Sequence, residues 1–187
     1  MHRPPVLSLV MATAIGLSAA AWAAVAGTGT AGQGEVKFIA KQSEGALEGR
    51  FNQFSADVEL DPQRPQAAKI RVVIDLASVD AGGADANDLL KGRDFFDVAR
   101  FPSATFTATS VQATGPGTFQ ASGPFTLKGH TSQLAIVFTT RSDSSGTWYE
   151  GAVPISRLAF DVGQGQWSDI STLDDEVRIA FRLHMAR

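Results

Sequence analysis

The sequence predicts an all-β domain of eight antiparallel strands with one short helix. Beyond Gly34, apolar residues recur at every second position through most of the chain, which is the period of half-buried strands. Most of the segments between these strands are short turns rich in Gly, Pro, Asp and Ser, as at residues 114–117. Connections of this kind join antiparallel strands, because a parallel crossover needs about a dozen residues or more.

Four of the predicted strands lie between Glu35 and Thr109. In each of them charged or hydroxylated side chains occupy most positions between the apolar ones, so one face of the strand is polar. Ile39 is an exception, since it lies on the polar side of the first strand. The apolar positions of these four strands are Val36, Phe38 and Ala40; Ala56, Val58 and Leu60; Ile70, Val72, Ile74 and Leu76; and Ala104, Phe106 and Ala108.

The other four strands are predicted between Phe119 and His184. The first of them contains Gly123 and Pro124, which predict a bulge or an edge kink, because proline cannot donate to the ladder. Residues 158–173 are predicted to form a long loop before the last strand. The apolar positions of these strands are Phe119, Ala121, Phe125 and Leu127; Leu134, Ile136 and Phe138; the segment 148–155; and Val177, Ile179, Phe181 and Leu183.

Residues 85–91 break the alternation and predict about two turns of helix. Asp85 or Asn87 is the predicted N-cap, and the glycine that follows the segment is the predicted stop. Phe95 and Phe96 come next, and we predict that the segment from Leu89 to Phe101 covers one end of the barrel. Adjacent side chains of an extended chain point to opposite sides, so one ring plugs the core while the other meets a ligand. The alternative is that both rings simply seal the end.

Composition excludes several classes of function. The chain of 187 residues carries 16 Lys+Arg, 19 Asp+Glu and no cysteine. Its basic residues are scattered singly, so no basic face of the kind that binds nucleic acid is present, and we predict no nucleic-acid partner. The lack of cysteine excludes disulfides, thiolate metal sites and a cysteine-linked lipid anchor.

Residues 1–26 have the character of a secretory signal peptide. Arg3 precedes an apolar stretch, after which small residues form two A-x-A patterns that predict cleavage behind Ala23 or Ala26. The alternative is an uncleaved anchor, because the apolar and small residues continue far enough to span a bilayer. The folded domain is expected over residues 35–187.

Eight strands with this pattern either close into a barrel or pair as a sandwich. Each strand keeps one polar face, so a single layer of apolar side chains lies inside, and alanines between the large residues leave room along the axis. We predict a barrel, and the small inner residues indicate a cavity along its axis; an interior filled by side chains is the alternative. The side chains predicted to point into the barrel are Phe38, Val58, Val72, Phe106, Ile136, Phe138, Ile179 and Phe181.

The sequence offers no convincing catalytic site. Beyond the leader, His130 and His184 are the only histidines, and neither has the spacing to a carboxylate pair that a metal site needs. No G-x-S-x-G elbow is present, and no strand–helix unit follows the G-x-G pair of the 158–173 loop. Asp174 and Asp175 are interpreted as solvated turn residues before the last strand. The residues favour a binding module without catalytic residues, metal or cofactor.

Several segments occur in the order found in a known family. The most specific is residues 89–97, Leu-Leu-Lys-Gly-Arg-Asp-Phe-Phe-Asp, followed by Phe-Pro. Residues 45–54, 123–131 and 155–163 are similar to the stretches G-x-F-x-x-F, G-x-L-T-I-x-G-x-T and I-x-R-x-D-F-G. With these motifs, the chain from Glu35 to its end resembles the YceI-like proteins, an exported family that binds lipids or polyisoprenoids.

This resemblance implies a lipocalin-like eight-stranded β-barrel whose tunnel holds an isoprenoid or another long-chain amphiphile. It also implies residence in the periplasm of a Gram-negative bacterium. Residues 35–38 stand where many members have an Asp…His-Ser strand, and the aspartate of the D-F-G piece is displaced to Asp161. Both departures concern the ligand head group. Arg157 and Trp167 are the candidates for contacting it, and a structural role is the alternative for Arg157.

Competing functions remain open at this point. The leading hypothesis is a carrier for a polyisoprenoid or quinone-like lipid. A second is a stress-related or redox-partner accessory that delivers a quinone to a membrane cytochrome, which requires an exposed docking patch. A ligandless structural barrel is a third, and an enzyme acting on the same lipids is a fourth. A membrane donor or acceptor of the ligand and a homodimer are the partners left open.

Overall fold

The computed structural model describes residues 27–30, 33–43 and 45–186 of the chain. The predicted signal peptide lies outside the described residues. Within them there is one α-helix, α1 (Ala84–Lys91), and none of the helices there has the length and apolar character to cross a membrane. The strands are β1 (Gly27–Thr30), β2 (Gln33–Gln42), β3 (Gly45–Phe51), β4 (Phe54–Leu60), β5 (Lys69–Asp75), β6 (Val79–Asp80), β7 (Ser103–Thr107), β8 (Ser110–Gly115), β9 (Thr118–Leu127), β10 (His130–Ser142), β11 (Gly146–Ser156) and β12 (Leu173–Ala186).

The strands form a single antiparallel sheet that curls on itself. They pair in the order β1-β4-β5-β7-β9-β10-β11-β12-β2-β3-β6, and β8 pairs with β9 beside this path. The two ends of this strand order lie next to each other. β4 is near one end and β3 is near the other, and β3 continues into β4 through Asn52 and Gln53. There the backbone N–H of Asn52 donates to the Ser78 carbonyl oxygen (3.1 Å), and that of Asp75 donates to the Gln53 carbonyl oxygen (3.0 Å). The inner face of the sheet thus surrounds a core.

The described residues contain 12 strands rather than the eight predicted; the additional ones are β1, β3, β6 and β8. Each adjoins a predicted strand along the chain, as β8 adjoins β7 across Ala108 and Thr109. In β3 the apolar pattern is weak because Gly49 takes a position on the inner face, and in β8 only Val111 is buried. The period-two signal counts apolar side chains, so these segments escape it.

The bulge predicted at Gly123 and Pro124 is absent from the pairing of β9 with β10, which keeps one register throughout. Instead, β9 changes its other partner here, because residues 118–122 pair with β8 and residues 125–126 with β7. A Cβ at Gly123 would collide with the carbonyl oxygen of Thr107. Glycine is needed at this position because the backbone of β7 approaches that of β9 closely.

The helix begins at a different cap from the one predicted. Gly83, in an extended conformation, is the N-cap, and Asp85 lies in the first turn, where its charge suits the helix dipole. Asn87 is not the cap because it is the fourth residue of the helix; its Oδ1 accepts a hydrogen bond from the backbone N–H of Ala81 (2.7 Å). Gly92 follows the last helical residue, as predicted.

Alternation along the strands sorts side chains onto an inner and an outer face. In β2, for example, Val36 and Phe38 are buried whereas Lys37 is exposed. Aromatic rings join the inner faces of different elements, since Phe51 packs on Phe38 at a centroid distance of 5.6 Å and on Phe96 at 5.8 Å. These contacts connect the strands to the segment that follows α1.

Candidate ligand-binding cavity

A cavity lies in the space that the curled sheet encloses. Its lining side chains are Val, Leu, Ile, Ala and Phe, with Tyr149 and Arg157 as the two exceptions. The cavity has a volume of about 160 Å³. One water molecule needs a space of only about 10–15 Å³. The cavity therefore has room for a molecule much larger than water, and its wall suits an apolar one.

The twelve residues predicted to bind a ligand fall into two groups. Trp167 is not part of the wall; its ring packs on that of Phe95 at a centroid distance of 5.6 Å. Contact with a ligand stays a prediction for all of them. The eleven that line the cavity are Phe38, Val58, Val72, Phe95, Phe96, Phe106, Ile136, Phe138, Arg157, Ile179 and Phe181.

Other wall residues were not singled out from the sequence. Leu47 and Phe51 belong to β3, a strand that the alternation did not reveal. Leu90 is the buried residue of α1, and Tyr149 lies on the inner face of β11. Tyr149 could have been found from the period of the segment 148–155, because it lies two and four residues from positions that face the same way.

Phe95 and Phe96 both reach the cavity, although they are adjacent in the chain. The expectation of opposite directions assumed an extended chain, whereas this segment folds into successive turns and Asp97 has a left-handed backbone (φ 48°). Phe96 packs against Phe51, and Phe95 against Trp167. The two rings thus lie together at one end of the cavity.

Two loops meet at this end and are tied by backbone hydrogen bonds. The Asp94 carbonyl oxygen accepts from the N–H groups of Gly163 (2.7 Å) and Gln164 (2.8 Å). This contact joins the loop after α1 to the loop between β11 and β12. Residues 94 and 164 are seventy positions apart, so this end of the cavity is built from segments that are distant in the chain.

Lys128 stabilises the same end from the β9–β10 turn. Its side chain is 8% exposed, and Nζ donates to the carbonyl oxygens of Arg93 (2.8 Å) and Asp161 (2.7 Å). Burial lowers the pKa of Lys128 from its usual value, while the carboxylates of Asp161, Asp97 and Asp94 oppose that shift. The lysine acts as a buried tie between the two loops. Nothing in the sequence marks Lys128 as buried, because lysine is ordinarily a surface residue.

Arg157 is buried, with 2% of its surface exposed, and its guanidinium binds backbone carbonyl groups. Nε donates to Asp174 (2.9 Å), Nη1 to Val162 and Gly163 (3.0 Å each) and Nη2 to Leu173 (2.6 Å). Burial lowers the pKa of Arg157, and the nearby aspartates partly offset this effect. Four of the five N–H donors are thus used by the fold, which agrees with the structural alternative for this residue.

The remaining polar candidates lie away from the cavity wall. His130 Nε2 is 3.1 Å from Asp161 Oδ2 at the outer surface. Asp175 lies within β12 rather than in a turn, and its Oδ1 accepts from Ser156 Oγ and the Leu158 N–H (3.0 Å each), so the prediction of a solvated turn residue is wrong. Within the part of the chain that the structure describes, no three His, Asp or Glu side chains gather as a metal site would require.

The geometry agrees with a comparison of the sequence against known domains. The YceI-like domain matches residues 29–185, which is most of the chain. The chain belongs to the YceI-like family. The resemblance drawn from the sequence motifs is thereby confirmed, together with an all-β antiparallel fold that carries one α-helix.

Solved structures and curated proteins resemble this YceI-like chain. BcnA of Burkholderia cenocepacia has a TM-score of 0.78 and 35% identity, over 80% of this chain and 94% of BcnA. A polyisoprenoid binding domain from Saccharophagus degradans, implicated in plant cell wall breakdown, has a TM-score of 0.69 over 87% of this chain and 100% of that domain. Its identity is 16%, so this likeness concerns the fold alone.

Among curated relatives, the UPF0312 protein of Shewanella sp. (strain ANA-3) is 39% identical over 100 residues. That stretch is 54% of this YceI-like chain and 52% of the relative. The UPF0312 protein of Shewanella oneidensis is 37% identical over 100 residues. The chain therefore spans about half the length of the curated relatives that it matches.

Proposed function

We propose that this YceI-like protein binds an isoprenoid or another long-chain amphiphile, including quinone-like lipids, by enclosing its apolar tail in the cavity. One observation carries the proposal: the wall is hydrocarbon apart from Tyr149 and Arg157, and the Arg157 guanidinium donates its hydrogen bonds to backbone carbonyl oxygens. Burial of a CH₂-sized group contributes about 0.8 kcal/mol, whereas one hydrogen bond contributes about 1 kcal/mol net. A tail of several isoprene units therefore gains more from the wall than from any single polar contact.

Two further points support a binding role rather than catalysis. The Saccharophagus domain, which has the same fold, is a polyisoprenoid binding domain. The chemistry of the wall also suits binding, because an enzyme needs positioned polar groups beside its substrate and the wall carries two polar side chains. The protein is accordingly proposed to bind its ligand without catalysing a reaction.

The proposal includes a closed, lipocalin-like barrel of eight strands. β1 and β2, β3 and β4, β5 and β6, and β7 and β8 each count in it as one interrupted strand. The hydrogen bonds at Asn52 and Gln53 support this count, since they continue the pairing across an interruption. A barrel of about eight strands is wide enough to hold one small ligand.

Export to the periplasm is also part of the proposal, and the signal-peptide pattern of residues 1–26 supports it. A carrier in that compartment would exchange its lipid with a membrane. Intact-mass measurement of protein from the periplasm tests this step: removal of residues 1–23 or 1–26 is expected. Full-length chain recovered in the membrane fraction would contradict export as a free protein.

Extraction with organic solvent and mass spectrometry test the binding itself. Protein purified from the periplasm is expected to release one prenyl-chain lipid per folded molecule. Ile136→Asp places a carboxylate on the cavity wall, whereas Val137→Asp places one on the outer face of the same strand, where Val137 is 48% exposed. We expect the first variant to lose the lipid and the second to keep it.

The proposal fails if the wild-type protein yields no lipid and also takes up none from phosphatidylcholine vesicles that contain geranylgeraniol. Both variants are first checked for cooperative unfolding. Equal lipid content in Ile136→Asp and Val137→Asp would likewise contradict a ligand held against the wall.

A further inference from the structure

Two glycines lie on the inner face of the sheet, each directly across from a phenylalanine. Gly49 of β3 pairs with Phe38 of β2, and Gly151 of β11 pairs with Phe181 of β12. Neither glycine has a positive φ, so their backbone conformations are open to other residues. A requirement for an unusual conformation therefore does not explain why glycine stands at these two positions.

The space next to each glycine is filled by the ring of its partner. A Cβ at position 49 would lie 2.6 Å from Phe38 Cε1, and one at position 151 would lie 2.7 Å from Phe181 Cζ. Contacts this short do not occur between carbon atoms, so each ring occupies the place of the missing side chain. Each ring therefore lies over the glycine of the neighbouring strand.

The two rings lean away from each other, although their strands, β12 and β2, are neighbours in the sheet. Phe181 leans toward β11, and Phe38 leans toward β3, where it also packs on Phe51. Between them the wall consists of the aliphatic side chains of Ile179 and Val36, which pair with Phe38 and Phe181 respectively. The glycines thus clear a strip of the cavity that two projecting aromatic rings would otherwise fill.

We propose that Gly49 and Gly151 are specificity-determining residues that set the width of the cavity and admit a methyl-branched chain. This inference rests on the proposed function, and it names the class of tail. A prenyl chain carries a methyl branch in every unit, so it is wider than a straight alkyl chain. A ring displaced into the cavity would exclude the wider chain first.

Gly49→Ala is the sharper test of the two. Most of the close contacts of a Cβ at position 49 are with the Phe38 ring, which can rotate, and the Asp80 carbonyl oxygen is 3.1 Å away. At position 151 a Cβ would also lie 2.7 Å from the Val137 carbonyl oxygen, so the backbone itself would have to move. Gly115→Ala is the matched control, because its Cβ would meet Thr118 Cβ at an ordinary distance of 3.8 Å on the outer strand β8.

The experiment compares the uptake of geranylgeraniol with that of hexadecanol, a straight-chain alcohol. The wild type and Gly115→Ala are expected to bind both. Gly49→Ala is expected to lose affinity for geranylgeraniol about tenfold more than for hexadecanol, the scale on which apolar pockets discriminate methylene-sized differences. Adding Phe38→Leu to Gly49→Ala replaces the displaced ring by a smaller side chain and should restore the uptake of geranylgeraniol.

Equal losses for the two alcohols, or no rescue by Phe38→Leu, would overturn the inference while leaving the proposed function intact. If the wild type takes up neither alcohol and also yields no lipid on extraction, the proposed function fails, and the inference that rests on it fails as well. The crystal structure of Gly49→Ala tests the geometry of the inference separately. A Phe38 ring turned into the cavity supports it, and a ring left over residue 49 contradicts it.

Discussion

Arg157 Nη2 donates a hydrogen bond of 2.6 Å to the carbonyl oxygen of Leu173, the first residue of β12. Both residues line the cavity, and the loop between them contributes Val162 to its wall. The guanidinium therefore links the residue before that loop, Arg157, to the residue after it, Leu173. It does so through backbone groups, which makes the contact independent of the loop's own side chains.

Replacing Arg157 by Met is expected to lower the free energy of unfolding by at least about 3 kcal/mol, because four carbonyl oxygens lose their donor and each buried acceptor without a partner costs about 1–3 kcal/mol. Arg157→Lys should fall between Met and the wild type, since an ammonium group cannot reproduce the fork of donors. Urea unfolding measures both variants. Lipid content per folded molecule should be unchanged; a loss of lipid at wild-type stability would instead support the head-group role predicted for Arg157.

Trp167 supports Phe95 from outside the cavity wall. Trp167→Leu is expected to lower the free energy of unfolding by about 1–3 kcal/mol, because a partly buried aromatic contact is lost. The lipid content of the folded fraction should stay at the wild-type level. Thermal unfolding and solvent extraction on the same sample test this. If lipid is lost without a change in melting temperature, Trp167 contacts the ligand after all.

Lys128 should make stability depend on pH in the alkaline range. Its pKa in the folded protein is lowered by burial from the usual 10.5, so the unfolded chain binds more protons between these two values. The free energy of unfolding gains a contribution from Lys128 as pH rises toward 10.5. Denaturant unfolding of the wild type and Lys128→Met measures it. We expect the difference, wild type minus variant, to grow over that interval; a constant difference would contradict the buried state of the amine.

Tyr149 should act in the opposite direction at higher pH. Burial raises its pKa above the usual 10.0, so the folded state favours the neutral phenol. The stability that this group contributes is complete below pH 10 and is lost as pH rises through its folded pKa. Tyr149→Phe removes the ionising group and should remove this loss. Unfolding measured from pH 9 upward, at about half-unit steps, should show the two proteins diverging above pH 10.

The sequence by itself determined which side of each strand faces the core. Phe38 and Ile179 could be assigned to the inner face from their charged neighbours alone, because side chains of any strand alternate whatever its partner is. The motif of residues 89–97 identified the family for a similar reason, since it is a local pattern. Both conclusions need only neighbours in the chain.

Tertiary structure alone decided how those faces meet. The role of Gly49 follows from its position opposite the Phe38 ring. The role of Lys128 follows from its hydrogen bonds to the carbonyl groups of Arg93 and Asp161. Arg157 stood in the sequence as a candidate for the ligand, and the carbonyl groups that engage it come from a loop and the strand beyond. Such contacts depend on strand register and on segments far apart in the chain. A local period of two carries no information about either.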